Sequence, residues 1–221
     1  MNVLVIAPHP DDEILGCGGT IAKHVENGHS VYVAIVTKGC EPIFPPEQVI
    51  QVRNECEKAD ELLGVKETIF MDFPAAMLET VSRFELNGAF IKLVQSIRPD
   101  IVYLPHRGDM QLDHKMVVDA AMVALRPKYN HVVKKIYAYE TLSETGWDLP
   151  NTTNEFIPNS YNNISEYLDK KIEALSMFES QVAEFPDARS LDAVKALAMY
   201  RGATMSMKAA EAFIIIRELQ E

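Results

Sequence analysis

The chain has 221 residues, enough for one domain with a sizeable core, and its 48% hydrophobic and 24% charged content is that of an ordinary globular protein. A net charge of −11 with no basic cluster excludes a nucleic-acid partner, and no apolar run approaches the ~20 residues of a membrane span. Three cysteines, Cys17, Cys40 and Cys56, with no C-x-x-C spacing exclude a disulfide framework and a thiolate zinc cage and point to a reducing, cytoplasmic setting. The amino terminus carries no basic region ahead of its first apolar run, so a signal peptide is not expected.

Residues 3–7 form an uninterrupted apolar run, which predicts a strand buried on both faces of a parallel sheet. The run ends in Pro8-His9-Pro10-Asp11-Asp12-Glu13, an imidazole and three carboxylates in close succession. Ile14, Leu15, Ile21, Ala22 and Val25 then recur at helical spacing, so a helix opens inside the acidic cluster, with Pro10 suited to its first turn. Gly28 ends it, and residues 30–37 predict a second strand whose following loop shares a rim with His9. Helices are predicted over 49–63, carrying Arg53, and over 81–97, with a short strand at 68–72 between them. Residues 101–104 predict a fourth strand, followed by a loop holding His106, Asp109, Gln111, Asp113 and His114. A helix over 115–125 and a fifth strand over 132–139 come next, then a loop-rich stretch with a short extra strand at 155–157. Helices at 165–178, 193–205 and 209–218 close the chain. Strands alternating with helices at this rhythm indicate an α/β fold, a doubly wound, mostly parallel, Rossmann-like sheet with a helical C-terminal layer. No linker or repeat interrupts it, so residues 1–221 read as a single domain.

In such sheets ligands bind outside the carboxyl ends of the strands. Acidic residues at a helix start complement the helix dipole without any further role. The histidine changes the reading: His9 lies between two prolines directly after a buried strand, and His9 and Asp12 are close enough to chelate one divalent ion. A catalytic metal site needs a third ligand and an open position, and His106 and His114 are both candidates on the same rim. The chemistry that follows is hydrolysis: a divalent ion lowers the pKa of a bound water, and a carboxylate beside the ion takes the proton. Spacing alone does not assign the ligand and base roles between Asp11 and Asp12. A dinucleotide site is excluded, because Gly16-Cys17-Gly18-Gly19 falls inside the helix and the carboxylates ahead of it would repel a pyrophosphate.

These motifs, taken in order, resemble the PIG-L/LmbE-like family of zinc-dependent N-acetylglucosamine deacetylases, and the resemblance covers nearly the whole chain. Pro8-His9-Pro10-Asp11-Asp12-Glu13 is similar to its first motif, and Asp113-His114 to the end of its second. Further matches are Thr37-Lys38-Gly39, Ser180-Gln181, Arg201-Gly202 and Ala210-Glu211-Ala212-Phe213. The resemblance implies His9, Asp12 and His114 as ligands to Zn2+ (with Fe2+ the other candidate), Asp11 as general base, and substrate contacts for Arg53 and Asp109. It implies a small amino-sugar conjugate as partner, with neither nucleic acid nor membrane. The methionines Met199, Met205 and Met207 are compatible with a homo-oligomer.

One departure stands out. The second motif of the family reads Asp-x-His-x-Asp-His, and its first histidine, which protonates the leaving amine or stabilises the oxyanion, is here Gln111. An amide donates hydrogen bonds but shuttles no proton. Three alternatives follow: Gln111 supplies the oxyanion contact while Asp11 serves as base and then acid; His106 takes the proton role; or turnover is slow or directed to a substrate with a better leaving group. The departure also supports an alternative function, a metal-binding but catalytically weakened protein that binds a sugar or partner.

Overall fold

The computed structural model describes residues 1–128 and 131–220. Strand β1 (Asn2–Ala7) is buried from Val3 onward, and its side chains alternate between two cores. Val3, Val5 and Ala7 face one apolar layer, while Leu4 and Ile6 face the other. The first layer is covered by α1 (Asp12–Glu26), α2 (Pro46–Leu63) and α5 (Leu168–Ser176), the second by α3 (Arg83–Ile97) and α4 (Leu112–Ala124). This double burial is why the strand is a continuous apolar run rather than an alternating one.

The sheet has seven strands in the order β3-β2-β1-β4-β5-β7-β6. Strands β2 (Ser30–Lys38), β3 (Glu67–Pro74), β4 (Ile101–Pro105) and β5 (Lys135–Tyr139) run parallel with β1 as the doubly wound reading expects. The order reverses at β1 and β4, which pair in register Val3↔Ile101, Leu4↔Val102, Val5↔Tyr103. A crevice opens above that reversal, between the loops leaving the two strands.

The C-terminal quarter departs from the expected all-helical layer. Helices α5 and α6 (Leu191–Ala203) are present, but the segment expected as a helix over 209–218 is strand β7 (Ala210–Glu218). It lies antiparallel between β5 and β6 (Ser160–Asn163). Ala-Glu-Ala at its head favours a helix, but Ile214, Ile215 and Ile216 are β-branched and fit the pleated surface between two partner strands. The extra strand expected at 155–157 is loop; Pro158 follows it, and the Phe156 ring packs against His106 and Arg201 instead of joining the ladder. Pro10 also lies outside α1, in the turn before it.

Glu211 is the one buried carboxylate on β7, and it ties the strand to the middle of α1. Its Oε1 accepts from Gly19 N at 2.9 Å and from Lys171 Nζ at 2.7 Å, and its Oε2 accepts from Thr20 N at 2.7 Å. Lys171, equally buried, also donates to Leu15 O at 2.8 Å. Truncating one member leaves the other charged and buried, so Glu211→Ala is expected to lower the unfolding free energy by about 3 kcal/mol. Denaturant titration should show the midpoint falling at constant slope. A Glu211→Leu, Lys171→Met double variant should recover most of that loss; no recovery would mean the charges themselves hold the strand to the helix.

Candidate metal centre and active site

The side-by-side pairing of β1 and β4 brings the loop after β1 and the loop after β4 onto one rim. Thr37 pins the first of them: its N and Oγ1 both donate to Pro8 O, at 3.0 and 2.8 Å. The turn then passes through Asp11 in the left-handed region, φ 107° and ψ −27°, at the N-cap of α1. Such a conformation costs a non-glycine residue about 1–3 kcal/mol. Two groups hold it there: Asp11 N donates to Glu13 Oε2 at 3.1 Å, and Asp11 O accepts from Ile14 and Leu15 amides at 3.0 and 2.9 Å. Glu13 is fully buried, and burial with the nearby Asp60 and Asp11 charges pushes its carboxyl up.

The result is a convergence of three side chains. His9, Asp12 and His114 each offer a ligand atom, all within 4.8 Å of one another. Asp12 Oδ2 lies 3.2 Å from His9 Nδ1 and 3.3 Å from His114 Nε2. Each imidazole is gripped from behind by its own carboxylate. His114 Nδ1 is 2.8 Å from Asp109 Oδ2, and His9 Nε2 is 3.2 Å from Asp113 Oδ2. Asp109 and Asp113 are themselves fixed, by Thr145 Oγ1 at 2.5 Å and Ala76 N at 2.7 Å. Carboxylate-oriented histidines are the usual outer support of a metal site. His114 Nε2 is buried with no hydrogen-bond partner among the described residues, an orphan that a cation would satisfy. The donor set therefore fits a divalent ion.

Electrostatics agree with the geometry. Burial opposes a charge on His9, but its hydrogen bonds to Asp113 and Asp12 outweigh it and bring the imidazole up to about 9. Burial likewise opposes charge on His114, and Asp12 and Asp109 bring it up to about 10. Burial would raise Asp12, yet the two histidines hold it far below the usual carboxylate range. Asp11 behaves oppositely: burial and the adjacent Asp12 charge push it up to about 7, opposed by Arg189. Both Asp11 oxygens lack a hydrogen-bond donor among the described residues, although the residue is only 1% exposed. A carboxylate titrating near neutrality, adjacent in sequence to Asp12 but outside the three-residue cluster, is suited to proton transfer.

A cavity of about 520 Å³ opens over these groups. His9, Asp11, Gln111 and Asp113 line it, together with Arg53, Gln181 and Arg189. Arg53, for which the resemblance implies a substrate contact, lines the cavity, paired with Asp72 and stacked 4.5 Å over the Phe70 ring. Gln181 is positioned by its neighbour: Glu55 accepts from Ser180 N at 3.2 Å and Ser180 Oγ at 2.5 Å.

Two expected site residues stand elsewhere. Asp109 is 0% exposed and spends both carboxylate oxygens on Thr145 and His114, so it supports a ligand from behind rather than contacting substrate. His106 packs edge-on against Phe156 and its Nε2 meets Asn154 O at 3.1 Å, and it is not among the residues lining the cavity. Asp113 lies against His9, with its Oδ2 3.2 Å from His9 Nε2.

Arg189 and Glu144 belong to the site and were not foreseen. Arg189 Nε approaches Asp11 Oδ2 at 3.5 Å from the loop before α6, and Asp187 ties that loop down by accepting from Arg189 N at 2.8 Å. Glu144, in the turn after β5, accepts from Gln111 Nε2 at 3.1 Å. Burial raises the Glu144 carboxyl, opposed by the His114, Arg189 and His9 charges. Nothing local in the sequence marks either residue; only the fold brings them to the rim.

Comparison with known proteins agrees with this architecture. The chain is 29% identical over 188 residues to the uncharacterized deacetylase YaiS of Escherichia coli, covering 81% of this chain and 91% of that one. It is 28% identical over 193 residues to the probable N-acetyl-alpha-D-glucosaminyl L-malate deacetylase 2 of Bacillus anthracis, covering 82% of each. Among solved structures, the 4-carboxy-2-hydroxymuconate hydratase GalB of Pseudomonas putida superposes with a TM-score of 0.80 at 18% identity, covering 100% of this chain and 98% of that one, a likeness of fold alone. The model of the PIG-L family, described as GlcNAc-PI de-N-acetylase, matches residues 4–125, which include the first-strand motif, Arg53 and the loop through His114. With more than half its length matched and the motif residues gathered at one rim, the chain belongs to the PIG-L family.

Proposed function

We propose that this protein is a metal-dependent hydrolase that removes the acetyl group from an N-acetylglucosamine-type conjugate. The observation that carries the reading is a single juxtaposition: His9, Asp12 and His114 converge within 4.8 Å, and the Asp11 carboxylate, without a hydrogen-bond donor among the described residues, lines the same cavity as His9. Both relatives are named deacetylases, and the Bacillus anthracis one, named for an N-acetylglucosaminyl conjugate, favours the amide bond of an amino sugar. His9, Asp12 and His114 would hold the ion, Zn2+ in the first instance and Fe2+ as the other candidate. Such an ion, when bound, lowers the pKa of a water and polarises an acyl oxygen.

The protein groups divide the remaining work. Asp11 accepts the proton of the attacking water on a carboxylate oxygen and returns it to the amine nitrogen as the carbon–nitrogen bond breaks. Gln111 donates an N–H to the acyl oxygen as charge builds there. Arg53 and Arg189, both in the cavity lining, contact the sugar and its substituent. No described helix is long and apolar enough to cross a membrane. A small conjugate in a reducing cytoplasm, taken by a single-domain protein with Cys17, Cys40 and Cys56 all free, is the setting this reading adopts.

Gln111 favours a second reading, a protein that binds metal and sugar with weakened turnover. Acetate release from a panel of N-acetylglucosamine conjugates, with and without a chelator, separates the two. The deacetylase reading expects release from at least one conjugate, lost on chelation and restored by added Zn2+ or Fe2+. Metal and sugar binding without any release would establish the second.

A further inference from the structure

Gln111 occupies the N-cap of α4, where a polar side chain ordinarily accepts from the first free amides, yet it makes no cap bond among the described residues. Its side chain leaves the helix, lines the cavity and donates from Nε2 to Glu144 Oε1 at 3.1 Å. Glu144 is only 7% exposed and its backbone is fixed from both sides. Its N donates to Thr141 O at 2.8 Å, and its O accepts from Met110 and Trp147 amides, each at 3.3 Å. The next residue, Thr145, donates to Asp109, which in turn holds His114. One turn after β5 thus braces a metal ligand through Thr145 and the cavity amide through Glu144.

The chemistry of this contact is directional. A side-chain amide has a donor edge and an acceptor edge, whereas an ionised carboxylate only accepts. Opposite Glu144, the flipped amide would set two oxygens against each other, so only the donor edge is tolerated. One Nε2 hydrogen is used by Glu144, and the second is left for the cavity. We propose that Glu144 is a positioning residue: it locks the Gln111 amide so that a permanently neutral N–H meets the acyl oxygen of the substrate, at the position where the family motif carries an ionisable imidazole. The inference rests on the deacetylase reading above and adds to it a residue of the β5 turn that no motif assigns.

Glu144→Gln keeps the shape and abolishes the directional preference. In 15N-labelled protein, the Gln111 side-chain amide is identified by the signal lost in Gln111→Glu. Wild type should show one Nε2 proton displaced downfield, and Glu144→Gln should collapse that displacement. The same variant should lower kcat for an N-acetylglucosamine conjugate about tenfold, with KM within about twofold and metal content unchanged, since a misaimed donor is lost chiefly in the transition state. A moved resonance with unchanged kcat would show that the pair orients nothing the reaction needs, and an unmoved resonance would show that the acceptor-only carboxylate of Glu144 does not set the Gln111 amide; either overturns the proposal. Should Glu144→Gln fail to fold, Glu144→Asp withdraws the carboxylate by one methylene and is held to the same two outcomes. If wild type releases no acetate from any conjugate, the deacetylase reading fails separately, and the amide resonance still decides whether Glu144 holds Gln111.

Discussion

Asp11→Asn is expected to reduce acetate release by about 10²–10⁴-fold, the usual worth of a positioned base, while making the metal-free protein more stable. Both effects have one cause. Asp11 is buried to 1% exposure, has no hydrogen-bond donor on either oxygen among the described residues and sits at φ 107°. Asparagine tolerates the left-handed conformation about as well, so the substitution removes the charge and little else. The pH dependence identifies the mechanism. The Asp11 carboxyl is raised to about 7 by burial and by Asp12, so between its unfolded value, about 4, and 7 the folded state binds a proton that the unfolded state has released. Stability of the wild type therefore falls with rising pH across that window, and the penalty is complete above it. Asparagine carries no such term. Thermal melts in chelator should find the two proteins similar near pH 4 and Asp11→Asn higher above pH 7, by about 2–4 °C for each kcal/mol relieved. A variant that kept more than about a tenth of wild-type kcat would sink the assignment of Asp11 as base.

What the sequence made legible, and what it did not, divides along the range of the interactions. The parallel core was readable because each strand buried on both faces must be a continuous apolar run, and Val3 to Ala7 is one. The rim was readable for the same reason: once β1 is a strand, His9 and Asp12 have to lie beyond its carboxyl end, and β4 delivers His114 alongside. Strand β7 was misread because Ala-Glu-Ala carries helix propensity, and the antiparallel slot between β5 and β6 that overrides it exists only in the assembled sheet. Asp109 and Asp113 could be placed on the rim but not sorted, since which carboxylate backs which imidazole depends on side-chain direction. Arg189 approaches Asp11 from 178 positions along the chain, and no periodicity or spacing relates the two. The residues that chemistry demands in a fixed local pattern could be found in advance, and those recruited by tertiary packing could not.

His114→Ala should abolish both acetate release and stoichiometric metal binding, and the way metal uptake depends on pH tests the ligand set independently of activity. In the metal-free protein His9 and His114 are held protonated, near 9 and 10, because the carboxylates behind and between them outweigh burial. A cation can bind only after both imidazoles release their protons, so metal affinity rises with pH. Below about pH 8 the wild type should liberate about two protons per Zn2+ bound, measurable by calorimetry in buffers of different ionisation enthalpy. His114→Ala removes one of the two proton-bearing ligands along with most of the affinity, so any residual uptake should release about one. Asp109→Asn supplies the contrast: it leaves the ligands in place but takes away the group that orients His114, and should weaken metal binding about 10–100-fold without preventing it. The ordering His114→Ala, then Asp109→Asn, then wild type follows from one ligand atom being deleted in the first case and only loosened in the second. Full-strength binding by His114→Ala with an undiminished proton count would place the third ligand on another side chain, and the hydrolytic centre would have to be rebuilt around it.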